Sequence, residues 1–181
     1  MNSRIDLAYY FNELGFKTGA EIGVAAGSFS ETLCKAIPGV KLYCIDPWDT
    51  YKGNQRGGGK EMQYRNYEVA KERLSKYDAT LIREKSMDAV KKFDYFSLDF
   101  VFIDGNHNFD FVIQDIIEWS YRIRSGGIVS GHDYYNFNNS GVIEAVDAYV
   151  NAHRLQLNLT SKEIRKKQLD DEQPSWWFIK K

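Results

Sequence analysis

Two short segments set acids and imidazoles side by side: Asp104-Gly105-Asn106-His107 and His132-Asp133-Tyr134. Each follows an apolar run, Leu98–Ile103 or Ile128–Ser130, that reads as a buried strand. Open α/β sheets bind ligands off the carboxyl ends of their strands, so both segments should face one crevice. Two of the three histidines in the chain fall there. Imidazole moves protons near neutral pH, which makes His107 the candidate general base. Asp104 and Asp133, with His132, form a hard ligand set of the kind Mg²⁺ or Mn²⁺ accepts. A cation on an acceptor hydroxyl would lower its pKa, and His107, one turn away, would take the proton. Two alternatives stay open. In one, no metal is involved and His107 or Asp104 accepts the proton; in the other, the acids simply cap loops.

A second constellation lies near the N-terminus. Ala20 to Val24 reads as a strand, Gly23 to Gly27 as a glycine loop, and Ser28 as the start of a helix. A second apolar strand then ends at Ile45-Asp46-Pro47-Trp48. Such a loop and terminal acid build an adenosine site: backbone for the charged tail, carboxylate for the ribose hydroxyls. A dinucleotide loop would be Gly-x-Gly-x-x-Gly facing a pyrophosphate. Here Ala25 and Ser28 stand at two of those glycine positions, and glycine recurs at Gly27 instead. Glu21, two residues before Gly23, is a poor neighbour for a pyrophosphate but suits a ligand with an ammonium group and a sulfonium.

The elements that must carry these residues can be traced by periodicity. Ile5–Leu14 is a helix ending at Gly15, and Phe29, Leu33, Ala36 and Ile37 share one helical face. Ser28 and Glu31 form a capping-box pattern for that helix. Lys41–Ile45 is the second strand, Glu61–Tyr77 a helix, Ala79–Arg83 the third strand and Met87–Phe93 a short helix. Val112, Ile113, Ile116 and Ile117 set the stripe of the helix after strand four, and Gly126-Gly127 turns the chain into strand five. Val142, Val146, Tyr149 and Val150 mark a further helix, with His153 at its end reading as structural. Leu155–Thr160 and Trp176–Ile179 are the last strands, joined as a hairpin. The expected fold is α/β, a Rossmann-like, doubly wound seven-stranded sheet, mostly parallel with a C-terminal antiparallel strand. Thr50–Lys60, with Gly57-Gly58-Gly59 and the cations Lys52 and Arg56, reads as a lid over the site.

Bulk composition narrows the classes. The 181 residues suit a single domain, 1–181, able to bury a core without staples. Lysine plus arginine (24) balances aspartate plus glutamate (25), so overall charge does not drive nucleic-acid binding. No apolar run reaches the length of a membrane span, and the N-terminus lacks a signal-peptide layout. Cys34 and Cys44 read as buried free thiols, consistent with a reducing cytoplasm.

With these motifs in order, the chain resembles a class I S-adenosylmethionine-dependent methyltransferase over nearly its whole length. Glu21-x-Gly23-x-x-x-Gly27 resembles the first motif of that family, and Ile45-Asp46-Pro47-Trp48 its second. Ser86-Met87 resembles the segment lying against the adenine. Phe102-Ile103-Asp104-Gly105-Asn106-His107, Gly126-Gly127-Ile128-Val129 and His132-Asp133-Tyr134 are similar to a small subfamily of sugar and natural-product O-methyltransferases. The resemblance implies cofactor contacts from Glu21, Gly23, Gly27, Ser28, Asp46, Pro47, Trp48, Ser86, Met87 and Asp104. It also implies catalysis by His107, Asp104 and Asp133, and a metal on Asp104, Asp133 and His132. In the metal-dependent relatives strand five ends in paired acids, where this chain has His132-Asp133, one hard ligand fewer. The acceptor expected is a small molecule, a sugar or nucleotide-linked sugar, held by the Asn- and Tyr-rich stretch Tyr134–Asn139. The short chain leaves little room for a separate substrate domain, which favours a homodimer. The competing readings are an NAD-type oxidoreductase and a non-catalytic S-adenosylmethionine-binding domain.

Overall fold

The computed structural model describes residues 1–50, 59–136, 140–160 and 173–181. The elements run α1 (Arg4–Glu13), β1 (Thr18–Ile22), α2 (Ser28–Ala36), β2 (Lys41–Ile45), α3 (Lys60–Leu74), β3 (Ala79–Ile82) and α4 (Ser86–Ala89), with a 3₁₀ turn at Val90–Lys92. Then follow β4 (Leu98–Ile103), α5 (Phe109–Ser120), β5 (Ile123–Gly131), α6 (Val142–Ala152), β6 (Asn158–Leu159) and β7 (Trp176–Ile179). The strands form one sheet in the order β3-β2-β1-β4-β5-β7-β6. Neighbours among β1 to β5 pair parallel, while β7 runs antiparallel to both β5 and β6. The expected seven-stranded sheet with its terminal hairpin is what forms.

Strand order reverses between β1 and β4: the chain winds outward to β3, then returns to the other side of β1. That switch point opens a crevice at the carboxyl ends, where a doubly wound sheet binds its ligand. Two apolar layers hold it. Leu7, Phe11, Leu33, Phe100 and Phe102 pack on one face of the sheet. Ile22, Val101, Ile116, Trp119 and Val146 pack on the other. Alternation along the strands divides the side chains this way. At the opposite edge Asp99 works as a structural clamp. Its Oδ2 accepts from the Lys17 and Thr18 amides at 2.7 and 2.9 Å, and its Oδ1 from Arg124 Nε at 2.7 Å.

Two local expectations are corrected. Strand five starts earlier, at Ile123, and the register shift between Leu98 and Phe100 absorbs Gly126-Gly127 as an irregularity inside it. Helix α2 has no capping box. Its N-cap is Gly27, at φ 75, while Ser28 Oγ accepts from Arg73 Nη1 at 2.7 Å and Glu31 pairs with Lys35 and Lys76 at 3.3 Å each. The lid expected between Thr50 and Lys60 falls largely outside the described residues.

Candidate active site

The glycine loop is set by backbone geometry. Gly23 sits at φ 91, and a Cβ there would stand 2.1 Å from the Asp104 carbonyl oxygen. Its amide donates to the Ile45 carbonyl at 2.9 Å, and the Asp104 amide to the Ile22 carbonyl at 2.7 Å. Only glycine lets the β1 and β4 ends close together in this way. Asp46 then ties the loop to β2. One carboxylate oxygen accepts from the Ala25 amide at 3.0 Å, the other from the Trp48 amide at 2.7 Å. The Trp48 indole, buried and at φ 41, donates back to the Ala25 carbonyl at 2.8 Å. Burial pushes the Asp46 carboxyl upward, and these amides partly offset it. The carboxylate keeps acceptor capacity for a ligand hydroxyl.

These pieces wall a cavity of about 450 Å³ at the switch point, within the size range of small-molecule sites. Gly23, Asp46, Pro47, Ser86, Met87 and Asp104, all expected in the site, line it. Glu21, Gly27, Ser28 and Trp48 do not. Glu21 lies on the other face of β1, 2% exposed, where Ser30 Oγ donates to its Oε2. Burial raises Glu21 to about 8, against the Ser30 hydrogen bond that lowers it. Glu21 thus supports the loop from beneath and does not line the cavity. Gly27 shapes the turn into α2, and Trp48 pins the loop.

Several wall residues had no place in the sequence reading, and one of them is an acid in an apolar stripe. Asp115 on α5 is 5% exposed and lines the cavity. Its Oδ1 accepts from Ser86 Oγ, which in turn accepts from Trp119 Nε1 at 2.8 Å. The available signal was an acid set inside the apolar stripe Val112, Ile113, Ile116 and Ile117. Among the charged residues lining the cavity, Asp46, Asp88, Asp104 and Asp115 face a single cation, Lys85. Such a wall favours a cationic ligand and opposes a pyrophosphate, which counts against NAD.

Beyond the cavity, Asp104, His107 and Asp133 come together. One ligand atom from each lies within 4.8 Å of the others. His107 Nε2 stands 2.7 Å from Asp133 Oδ2 and 3.6 Å from Asp104 Oδ1. An Asn106 side chain accepting from the Asn108 amide at 2.9 Å, and the His107 carbonyl accepting from the Gly141 amide at 2.9 Å, fix the loop that carries His107. Asp133 takes φ 58, a left-handed conformation that aspartate tolerates better than most residues. Burial disfavours the charged imidazolium, but the Asp104 and Asp133 carboxylates outweigh it and raise His107 to about 9. Burial would raise Asp133 too, yet His107 and His132 hold it well below the usual carboxylate range. Arg4 of α1 reaches the same edge: its Nη1 lies 3.3 Å from Asp104 Oδ2, and its guanidinium lies 4.9 Å over the Phe29 ring. Arg4 was not anticipated, because nothing local to α1 signals a partner a hundred residues away.

His132 does not join the group. Its Nδ1 faces Asp133 Oδ1 at 3.3 Å, and its Nε2 is buried with no hydrogen-bond partner among the described residues. The third side chain beside the two acids is His107. Two carboxylates and an imidazole suit a divalent cation of the Mg²⁺ or Mn²⁺ type.

Fold and site together define a methyltransferase on a Rossmann-like sheet. The methyltransferase-domain family model matches residues 20–134, and the chain belongs to that family. This is the class I, S-adenosylmethionine-dependent architecture expected from the motifs. No curated protein matches the chain significantly. Among solved structures, an O-methyltransferase from Bacillus cereus in complex with SAH superposes with TM-score 0.67 at 12% identity, covering 97% of this chain and 80% of that one. The O-methyltransferase TomG from Streptomyces achromogenes, in complex with SAM, gives 0.67 at 13%, covering 98% and 80%. A putative rRNA-methylase from Clostridium thermocellum gives 0.67 at 14%, covering 99% and 97%. At these identities the likeness is one of fold. Among the described residues, no helix is long and apolar enough to cross a membrane.

Proposed function

We propose that the protein transfers a methyl group from S-adenosylmethionine to an oxygen of a carbohydrate or glycosylated small molecule. The observation that carries this reading is the aspartate-lined cavity running up to the Asp104, His107 and Asp133 cluster. The cofactor supplies an electrophilic methyl on a sulfonium. Asp46 would hold the ribose hydroxyls, and the turn at Gly23 and Ala25, which lines the cavity, would lie against the charged tail. Met87 and Ser86 would bound the adenine. Asp104 then sits where the cavity meets the acceptor side.

The chain's own groups supply the proton chemistry. An acceptor hydroxyl must sit about 3 Å from the methyl and lose its proton during transfer. His107 stands beside both acids and is the candidate to take it. At neutral pH the two carboxylates keep His107 charged, so it must first be released from them. A divalent cation held by Asp104 and Asp133 would do this and would also acidify the hydroxyl. Tyr135 and Asn136, following Asp133, offer stacking and hydrogen-bonding side chains of the kind sugars use, while Tyr134 packs on the core and donates its hydroxyl to Asp147 at 2.7 Å; the rest of that stretch, 137–139, lies outside the described residues. A cytoplasmic enzyme, and a homodimer that completes the acceptor side, accord with this reading.

The test is a turnover assay with S-adenosylmethionine and a panel of sugars, sugar nucleotides and glycosylated metabolites. Product is read by mass, with Mn²⁺, Mg²⁺ or EDTA added. A methylated glycan hydroxyl, lost in His107→Ala and in EDTA, is expected. S-adenosylhomocysteine binding without transfer to any member of the panel would refute the carbohydrate assignment. Activity unaffected by EDTA would remove the metal.

A further inference from the structure

We propose that Asp115 selects adenine in the cofactor cavity, its Oδ2 accepting a hydrogen bond from the exocyclic 6-amino group. The inference rests on the S-adenosylmethionine reading and adds a residue that determines which base is accepted.

The position of Asp115 is unusual for an acid. It belongs to the second turn of α5, on a face otherwise made of Val112, Ile116 and Trp119, and is almost wholly buried. An unpaired carboxylate at such a place is costly. Only one of its oxygens is used by the protein: Oδ1 takes the Ser86 hydroxyl, and Trp119 Nε1 fixes that hydroxyl from behind. Oδ2 has no hydrogen-bond donor among the described residues, yet the residue lines the cavity. Desolvation, partly offset by Ser86, lifts the carboxyl to about 7. The group is short of donors, and a ligand N–H would supply one.

The rest of the wall says which ligand group arrives. The reacting methyl must face Asp104 and His107, and Asp46 is committed to a pair of hydroxyls at the centre. The charged amino-acid tail needs the exposed loop at Ala25. That leaves the wall carrying Met87, Phe111 and Asp115 for the flat base: Phe111 and Asp115 lie one turn apart on α5, and Met87 follows the Ser86 that bonds Asp115. The 6-amino group is the only N–H donor on an adenine ring joined to ribose. A buried acceptor held rigidly by Ser86 and Trp119 rewards that donor and discriminates against a base lacking it.

The test compares binding of S-adenosylhomocysteine with binding of its 6-deamino purine analogue, by calorimetry, to the full-length wild type, Asp115→Asn and Asp115→Leu. The wild type should prefer S-adenosylhomocysteine by roughly tenfold or more, the scale of one hydrogen bond to a charged acceptor. Asp115→Asn keeps an acceptor oxygen and should keep most of the preference. Asp115→Leu should bind the two ligands equally. A ratio taken within one protein cancels any general loosening of the fold, which a purely structural Asp115 would cause. The proposal is overturned if the wild type shows no preference, or if Asp115→Leu weakens both ligands and leaves their ratio unchanged. A wild type that binds neither ligand would show instead that the cofactor reading itself is wrong.

Discussion

Replacing Asp133 by asparagine removes one of the two charges that govern His107. Asparagine tolerates the left-handed backbone at this position and fills nearly the same volume, so the change removes charge and little else. In the wild type the His107 imidazole touches Asp133 at 2.7 Å and the more distant Asp104 at 3.6 Å. Together they raise it from 6.5 to about 9 against the opposing effect of burial. At about 1.4 kcal/mol per pH unit, that rise corresponds to about 3 kcal/mol of preference for the charged, folded form. A raised histidine stabilises the fold fully below its unfolded pKa of 6.5, and the contribution disappears as pH climbs through about 9. The partner acid behaves in the opposite sense. Asp133 is held below its ordinary 3.8, so its share is present above that value and is lost on acidification below it. The pair is therefore most stabilising between about pH 4 and 6.5.

In Asp133→Asn the Asp104 carboxylate still opposes burial, so the His107 titration midpoint should fall by about one pH unit rather than return to its ordinary value. Urea unfolding should show the variant less stable by about 1–2 kcal/mol at pH 6, with most of that gap closing by pH 10. Histidine ring NMR gives the midpoint directly. A wild-type His107 titrating near 6.5, or a stability gap of equal size at pH 6 and pH 10, would refute the ion-pair account of this site.

Three further outcomes are expected. Asp46→Ala frees the Ala25 and Trp48 amides and removes the candidate ribose partner; S-adenosylhomocysteine should bind about 10–100-fold more weakly by calorimetry. Gly23→Ala drives a methyl into the Asp104 carbonyl at a positive φ, and urea unfolding should show a loss of at least about 2 kcal/mol. Glu21→Gln should gain stability over the wild type as pH rises from 4.5 to 8, by up to about 5 kcal/mol, because the buried acid stays protonated only in the folded state. A constant difference across that pH range would show that Glu21 is ionised in the fold.

The parts legible in sequence are those fixed by neighbours in the chain. The apolar runs Leu98–Ile103 and Trp176–Ile179 coincide with β4 and β7, and the acids following strands two, four and five do stand at the ligand edge. Asp104, His107 and Asp133 were found because a strand's end and its next residues are one local signal. What failed was the assignment of faces. Glu21 and Ile22 are adjacent, and on a strand adjacent side chains point to opposite sides of the sheet. Ile22 lines the cavity, so Glu21 lies behind it, although its spacing from Gly23 placed it beside the loop. The same problem hid Asp115: a stripe of apolar residues shows which face of α5 is buried, but not that this face ends at a cavity.

Arg4 and His107 show why the active edge could not be read as a set of ligands alone. Asp104 and Asp133 close to each other would repel without counter-charge. Arg4 comes from the first helix and His107 from the loop after β4, and both are partly withdrawn from water beside these acids. The protein thus carries its own cations where a metal or a sulfonium would bring charge. Any cationic ligand that binds here must outcompete Arg4 for Asp104 and loosen His107 from Asp133. In the proposed reaction binding and proton acceptance would be coupled for that reason: the imidazole would become a base only once another positive charge had taken over its carboxylates.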